Sequence, residues 1–253
     1  MPFGGRVTLV TGASRGVGAA VARRLAADGA RVAVLARDSA ALAAVAREID
    51  ALPLAADVTD AAALDRALAQ LRETLGPPSI VVQCAGAASS APFARTDDAA
   101  WRALMELNAT APFCIARATI PDMVQGGWGR VVNIASNAAL TGYAYTAAYS
   151  ASKHALVGWT RAVAAEVART GVTVNAVCPG FLDTEMTART IANVAEKTGR
   201  SEADARASLE ALTPQRRLFA LEEVAHVVAM LCSDDARGMT GQAIAVDGGQ
   251  TMR

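Results

Sequence analysis

Residues 11–18 read Thr11-Gly12-Ala13-Ser14-Arg15-Gly16-Val17-Gly18 and follow directly on the apolar run Val7–Val10. A helical pattern, Val17–Asp28, begins inside them. A glycine turn between an apolar strand and a helix is the entry to a βα unit. Gly12 permits the tight turn, Gly16 lets a pyrophosphate approach the backbone, and Gly18 lets helix and strand pack closely. The helix N-terminus offers free N–H groups and the positive end of its dipole to phosphate. Three glycines alone carry little weight; the strand before and the helix after supply the context that the motif needs. Gly12, Ser14, Arg15, Gly16, Val17 and Gly18 are therefore candidates for holding a dinucleotide.

The same rhythm runs through the chain. Strands are expected at Arg6–Thr11, Arg31–Ala36, Leu52–Ala56, Ser79–Cys84, Arg130–Ile134, Val172–Cys178 and Gln242–Val246. Most are rich in Val, Ile and Leu without strict alternation, as in parallel strands covered on both faces. Helices are expected at Val17–Asp28, Ser39–Ile49, Ala61–Leu75, Asp97–Pro121, Thr146–Thr170 and Leu221–Cys232. Repeated βα units imply an α/β fold, a Rossmann-type doubly wound parallel sheet of about seven strands. No composition shift marks a second domain, so residues 1–253 read as one dinucleotide-binding catalytic domain. The segment 181–220 breaks the rhythm as a helical insertion, a candidate substrate lid.

Composition narrows the function. The 253 residues carry 24 Lys and Arg against 24 Asp and Glu, and are 53% hydrophobic. A balanced charge without a basic block speaks against a nucleic-acid surface. No apolar run reaches the roughly 18 residues that span a bilayer, and residues 1–10 lack the pattern of a signal peptide. Cys84, Cys114, Cys178 and Cys232 are scattered without C-x-x-C spacing, as buried thiols of a reducing compartment would be. His154 and His226 have no second ligand at helical spacing, so no metal site is expected. A cytoplasmic protein is the expectation.

The second strand selects the dinucleotide. A carboxylate at its end would accept from the ribose 2′-OH of NAD, whereas NADP sites use Arg. This strand reads Val32-Ala33-Val34-Leu35-Ala36-Arg37, with Ala36 in the acidic position. Arg37 and Arg15 are guanidiniums suited to a 2′-phosphate. Asp38 reads as the cap of the next helix. NADP(H) is therefore expected over NAD(H).

The long central helix opens with Tyr149-Ser150-Ala151-Ser152-Lys153, and the four-residue spacing puts Tyr149 and Lys153 on one face. Free tyrosine titrates at about 10, and a neighbouring ammonium is expected to lower that value. Tyr143 and Tyr145 lack such a partner.

TGASRGVG, Asn108 in a long helix, Ser136 after the fifth strand and YSASK together resemble the short-chain dehydrogenase/reductase family. The thirteen-residue step from Ser136 to Tyr149 fits, and the likeness extends through Asp57-Val58, Pro179-Gly180 with Thr184, and Val246-Asp247-Gly248-Gly249. The resemblance implies roles. Tyr149 would be general acid for ketone reduction and base for alcohol oxidation, and Lys153 would tune it and hold the nicotinamide ribose. Ser136 would bond the substrate oxygen, and Asn108 would hold a water behind Lys153. Asp57 and Val58 would meet the adenine, Ala85 and Gly86 would let the backbone approach the cofactor, and the Pro179–Thr184 turn would seat the nicotinamide. One departure stands out: Gln83-Cys84 replaces the usual Asn-Asn before Ala85-Gly86.

Within the family the pattern is similar to 3-oxoacyl thioester reductases and 3-hydroxyacyl dehydrogenases. That implies a small-molecule substrate linked to CoA or a carrier, whose phosphates Arg130, Arg200, Arg206, Arg216 or Arg217 would meet unless they are simply solvated. Ala138, Leu140, Tyr143, Tyr145, Phe181 and Leu182 are expected to line an apolar pocket, which a cyclic, aromatic or steroid-like ketone would also suit. A non-catalytic NADPH sensor is the reading from another class, and the intact Asn108, Ser136, Tyr149, Lys153 set argues against it. The resemblance further implies a homotetramer.

Overall fold

The computed structural model describes residues 2–37 and 39–252. Seven strands form one parallel sheet: β1 (Val7–Thr11), β2 (Arg31–Ala36), β3 (Leu52–Ala55), β4 (Ile80–Gln83), β5 (Gly129–Ile134), β6 (Val172–Pro179) and β7 (Ala243–Val246). Their order is β3-β2-β1-β4-β5-β6-β7. The winding reverses between β1 and β4, and the crevice outside the carboxyl ends of these strands is where such sheets bind ligands.

Successive strand residues face opposite sides, which divides the core in two. Val10, Val34, Val82 and Val132 pack under α1 (Gly16–Ala27), α2 (Ser39–Glu48) and α9 (Leu221–Cys232). Leu9, Leu35, Val81 and Val131 pack under α3 (Ala61–Thr74), α5 (Ala111–Gln125) and α6 (Ala147–Val167). Both faces of the central strands are covered, which explains their lack of polar alternation.

The expected helix Asp97–Pro121 differs. The chain forms α4 (Asp98–Met105), a π turn (Glu106–Thr110) and then α5. Pro112 has no N–H to offer the carbonyl of Asn108. The ladder shifts by one residue, and Ala111 N–H donates to the carbonyl of Glu106 instead. Nor does Pro121 stop α5, which runs on to Gln125.

The insertion folds as α7 (Glu185–Thr198) and α8 (Glu202–Glu210). Its two ends are joined: Phe219 N–H donates to the carbonyl of Phe181 (3.0 Å) and Asp183 N–H to that of Phe219 (2.9 Å). Among the described residues no helix is long and apolar enough to cross a membrane.

Candidate active site

The glycine turn sits at the mouth of the crevice. Gly12 has φ +65°, and a Cβ there would lie 2.7 Å from the Ala85 nitrogen, so only glycine lets the two segments touch. The Ala85 N–H donates to Thr11 Oγ1 at 3.2 Å and fixes that contact. Gly16 has φ +56° and nothing within 4 Å of its Cβ position. Arg15 precedes α1 without capping it by its side chain. An open glycine face beside a helix N-terminus fits a pyrophosphate. Ser14 and Val17 are partly exposed on the same turn, and Gly18 is buried against Gly12.

At the far side of β1, Ala36 is buried and Arg37 exposed. Asp57 Oδ1 accepts from Thr59 N–H (2.9 Å) and Thr59 Oγ1 (2.7 Å), which hold its carboxyl below the usual range. Arg37 Nη1 lies 3.9 Å from Asp57 Oδ2, and Val58 is buried beside them. Arg15 Nη1 lies 3.8 Å from Glu185 Oε2 in the first turn of α7, so the glycine turn touches the insertion. Asp38, expected as the cap of α2, lies outside the described residues.

Lys153 is 5% exposed and donates from Nζ to the carbonyl of Ile134 at 2.9 Å. Among the described residues it has no carboxylate partner, and burial lowers its pKa to about 8. Asn108 is 1% exposed on the π turn. Its Nδ2 donates to the Ala87 carbonyl (2.9 Å) and to Ser152 Oγ (3.0 Å), while Oδ1 accepts from Ala87 N–H (3.0 Å). Gly86 is the wall between the two: a Cβ there would come 3.0 Å from Asn108 Oδ1 and 3.4 Å from Lys153 Nζ. The asparagine, the lysine and the chain after β4 thus converge.

Tyr149 differs from expectation. Burial raises its pKa above the ordinary value, and the hydrogen bond with the Ser136 side chain only partly opposes this. A lysine that is itself desolvated, and engaged by a carbonyl, does not reverse the shift. Ser136 Oγ accepts from Ala138 N–H at 3.1 Å, which holds it beside Tyr149.

Pro179 ends β6, and Gly180 N–H donates to the Val246 carbonyl at 3.0 Å. A Cβ at Gly180 would lie 3.1 Å from Asp247, whose carboxylate accepts from Gly249 N–H, Thr251 N–H and Thr251 Oγ1. Thr184 caps α7, its Oγ1 accepting from Thr187 N–H (3.2 Å). Ala138 is buried in a 3-10 turn, Phe181 is partly exposed at the neck of the insertion, and Tyr145 is 67% exposed. Tyr143 is partly buried with its hydroxyl enclosed.

Several roles are not legible in the sequence. Ser152 holds Asn108. Gln83 Nε2 donates to the Pro112 carbonyl at 2.9 Å, so the departure from Asn-Asn ties β4 to the start of α5. Cys84 beside it is kept protonated by burial. Arg130 does not face a carrier: it is 2% exposed and bonded to the carbonyls of Gly129, Gly171 and Ser233. Arg217 is taken by Glu223, and Arg206 by Asp183 and Glu210.

Comparison with known proteins adds independent findings. The sequence profile of the short chain dehydrogenase family matches residues 6–195. The 3-oxoacyl-[acyl-carrier-protein] reductase FabG of Escherichia coli K12 is 36% identical over 254 residues, covering all of both chains. The 3-oxoacyl-[acyl-carrier-protein] reductase MabA of Mycobacterium tuberculosis H37Rv is 36% identical, over 99% of this chain and 95% of its own. Among solved structures, a single-substitution variant of the actinorhodin polyketide ketoreductase with NADPH superimposes with a TM-score of 0.94 at 36% identity, over 98% of each chain.

Proposed function

The chain belongs to the short chain dehydrogenase family, and on that premise we propose that it reduces the 3-keto group of an acyl thioester with NADPH. It is an oxidoreductase of the C=O/CH–OH pair that uses a nicotinamide dinucleotide. The thioester substrate is supported by the full-length similarity to reductases of carrier-linked 3-oxoacyl groups.

The observation that carries the reading is the convergence of Lys153, Asn108, Ser136 and Tyr149 at the carboxyl end of β5. When bound, the cofactor supplies the hydride. Ser136 would hold the ketone oxygen. Tyr149, which burial keeps protonated at neutral pH, would give that oxygen its proton. A lysine whose pKa burial lowers to about 8 exchanges protons readily near neutral pH, and Lys153 would hold the nicotinamide ribose and resupply the proton that Tyr149 gives up. Asn108, braced from both sides, would hold the water that links Lys153 to solvent.

Arg15 and Arg37 favour NADPH over NADH. Both stand exposed near the end of β2 and the glycine turn, and a 2′-phosphate would draw them from their longer contacts to Glu185 and Asp57. Phe181 to Ala220 would act as the substrate lid. Four free cysteines support a reducing, cytoplasmic setting. A homotetramer is the proposed assembly, and light scattering that gave a monomeric mass would reject it.

The test is the loss of reduced-nicotinamide absorbance with acetoacetyl-CoA, run with NADPH and NADH in parallel. NADPH oxidation at least about tenfold faster is expected. Silence with both, while NADPH still binds, would overturn the thioester reading.

A further inference from the structure

The insertion rejoins the body of the protein at Phe219, whose ring is packed against two glycines. Phe219 is 1% exposed. A Cβ on Gly248 would come 2.7 Å from its Cζ, and one on Gly180 would come 3.3 Å from its Cε2. The ring therefore fills the space that side chains at both positions would take. Gly180 belongs to the Pro179–Thr184 turn, and Asp247, the residue before Gly248, packs against it as well. The backbone of Phe219 is tied to the same turn: its N–H donates to the Phe181 carbonyl (3.0 Å), and its carbonyl accepts from Asp183 N–H (2.9 Å). The ring is also braced by charge. The Arg217 guanidinium lies over it at 4.6 Å from its centre. Arg217 Nη1 donates to Glu223 Oε1 at 2.6 Å, and the same oxygen accepts from Ala220 N–H at 2.8 Å. Residues 217, 219 and 220 are thus each fixed, and the ring between them has one seat.

From this we infer that Phe219 is a positioning residue for hydride transfer: its ring sets the depth of Gly180, and through it the place of the Pro179–Thr184 turn against the nicotinamide. The inference rests on the reading of that turn as the nicotinamide seat of a carbonyl reductase. Glycine has no side chain to anchor itself, so its position is set by whatever packs on its α-carbon. In a close-packed interior, removing ring carbons leaves the neighbours to shift or a cavity to remain. Hydride transfer is sensitive to such shifts, since a misplacement of about 1 Å can cost about a hundredfold in rate. The grip on the cofactor phosphates is made elsewhere: the glycine turn follows β1, and β4 and β5 stand between β1 and β6. Because Phe219 also closes the insertion, one contact fixes both the expected substrate cover and the nicotinamide seat.

The experiment compares Phe219→Leu with Leu218→Ala, a truncation of its buried neighbour, which makes none of the close glycine contacts. Hydride transfer from NADPH to acetoacetyl-CoA is followed in a single turnover. The affinity and the emission spectrum of bound NADPH are recorded without substrate. Phe219→Leu is expected to slow transfer by about tenfold to a hundredfold, with NADPH affinity kept within about threefold. It is also expected to shift the emission of bound NADPH, because the nicotinamide changes its surroundings. Leu218→Ala should leave rate and emission close to wild type. Unchanged rate and emission in Phe219→Leu, or equal changes in Leu218→Ala, would overturn the role of Phe219 and leave the function standing. If Phe219→Leu does not fold, Phe219→Met, flexible and able to fill an irregular gap, takes its place in the same comparison. A wild-type protein silent with acetoacetyl-CoA would overturn the thioester reading, and the emission of bound NADPH would still decide the role of Phe219.

Discussion

A buried cation meets strand β5 at each end, Arg130 from the strand itself and Lys153 from α6, and the two are treated in opposite ways. At its start, Arg130 donates to the carbonyls of Gly129 (2.8 Å), Gly171 (3.1 Å) and Ser233 (3.3 Å) and reaches Asp234 Oδ1 at 3.4 Å. Its guanidinium also lies 4.3 Å from the centre of the Trp128 ring, with Arg6 stacked at 3.4 Å and Trp128 Nε1 donating to Asp234 at 2.7 Å. At the other end, Lys153 has the carbonyl of Ile134 and no carboxylate among the described residues. Burial lowers the pKa of both, but the Asp234 charge works against it at Arg130. The first is a clamp joining β5, the turn before β6 and the end of α9. The second is an ammonium left short of partners, and its unmatched capacity is what a cofactor's hydroxyls can use. Stability is built at one end of the strand and spent on reactivity at the other.

Substitutions should separate the two ends. Tyr149→Phe and Lys153→Met are expected to lower kcat by about 10²–10⁴, the usual worth of a positioned proton donor, as read from NADPH oxidation at saturating substrate. A loss of less than about tenfold would break the contrast. Arg130→Met should do the reverse: kcat within about twofold, but about 2–4 kcal/mol less stability by urea unfolding, because several carbonyls lose a charged donor. An unchanged unfolding midpoint would show that the clamp is ornamental.

Lys153 also gives the stability a pH signature. Its folded pKa of about 8 lies below the ordinary 10.5, so the unfolded chain binds the extra proton between these values. Below pH 8 the folded state bears the whole cost of the buried charge. Stability relative to Lys153→Met should therefore rise from about pH 8 to about 10.5, by about 3 kcal/mol in total, as followed by thermal unfolding without cofactor. A flat difference would mean that the lysine is better solvated than its surroundings suggest. The smallest effect belongs to an exposed cation: Arg37→Asp should weaken NADPH binding about tenfold and NADH binding less, in a fluorescence titration.

The sequence is most informative where local chemistry decides the structure. Strand limits follow from β-rich apolar runs, and each expected strand agrees with the observed one to within a single residue at either end. The glycine turn and the Tyr149–Lys153 spacing need no tertiary information. What escapes depends on partners distant in the chain. Nothing near Arg130 announces that residues 171, 233 and 234 will enclose it. The break at Asn108 is written in Pro112, four residues on, whereas Pro121, the expected helix end, lies inside α5. Tyr149 is expected to be acidified by its neighbour, because spacing gives proximity but not desolvation, and desolvation dominates.

The neck of the insertion has a consequence for how this fold diversifies. Because Phe181 and Asp183 are hydrogen-bonded to Phe219, the excursion leaves and rejoins the body at one point. The entropy of closing such a loop grows only logarithmically with its length. The residues between that closure, 184–218, can thus be lengthened, trimmed or exchanged as a cassette at little thermodynamic cost to the sheet beneath.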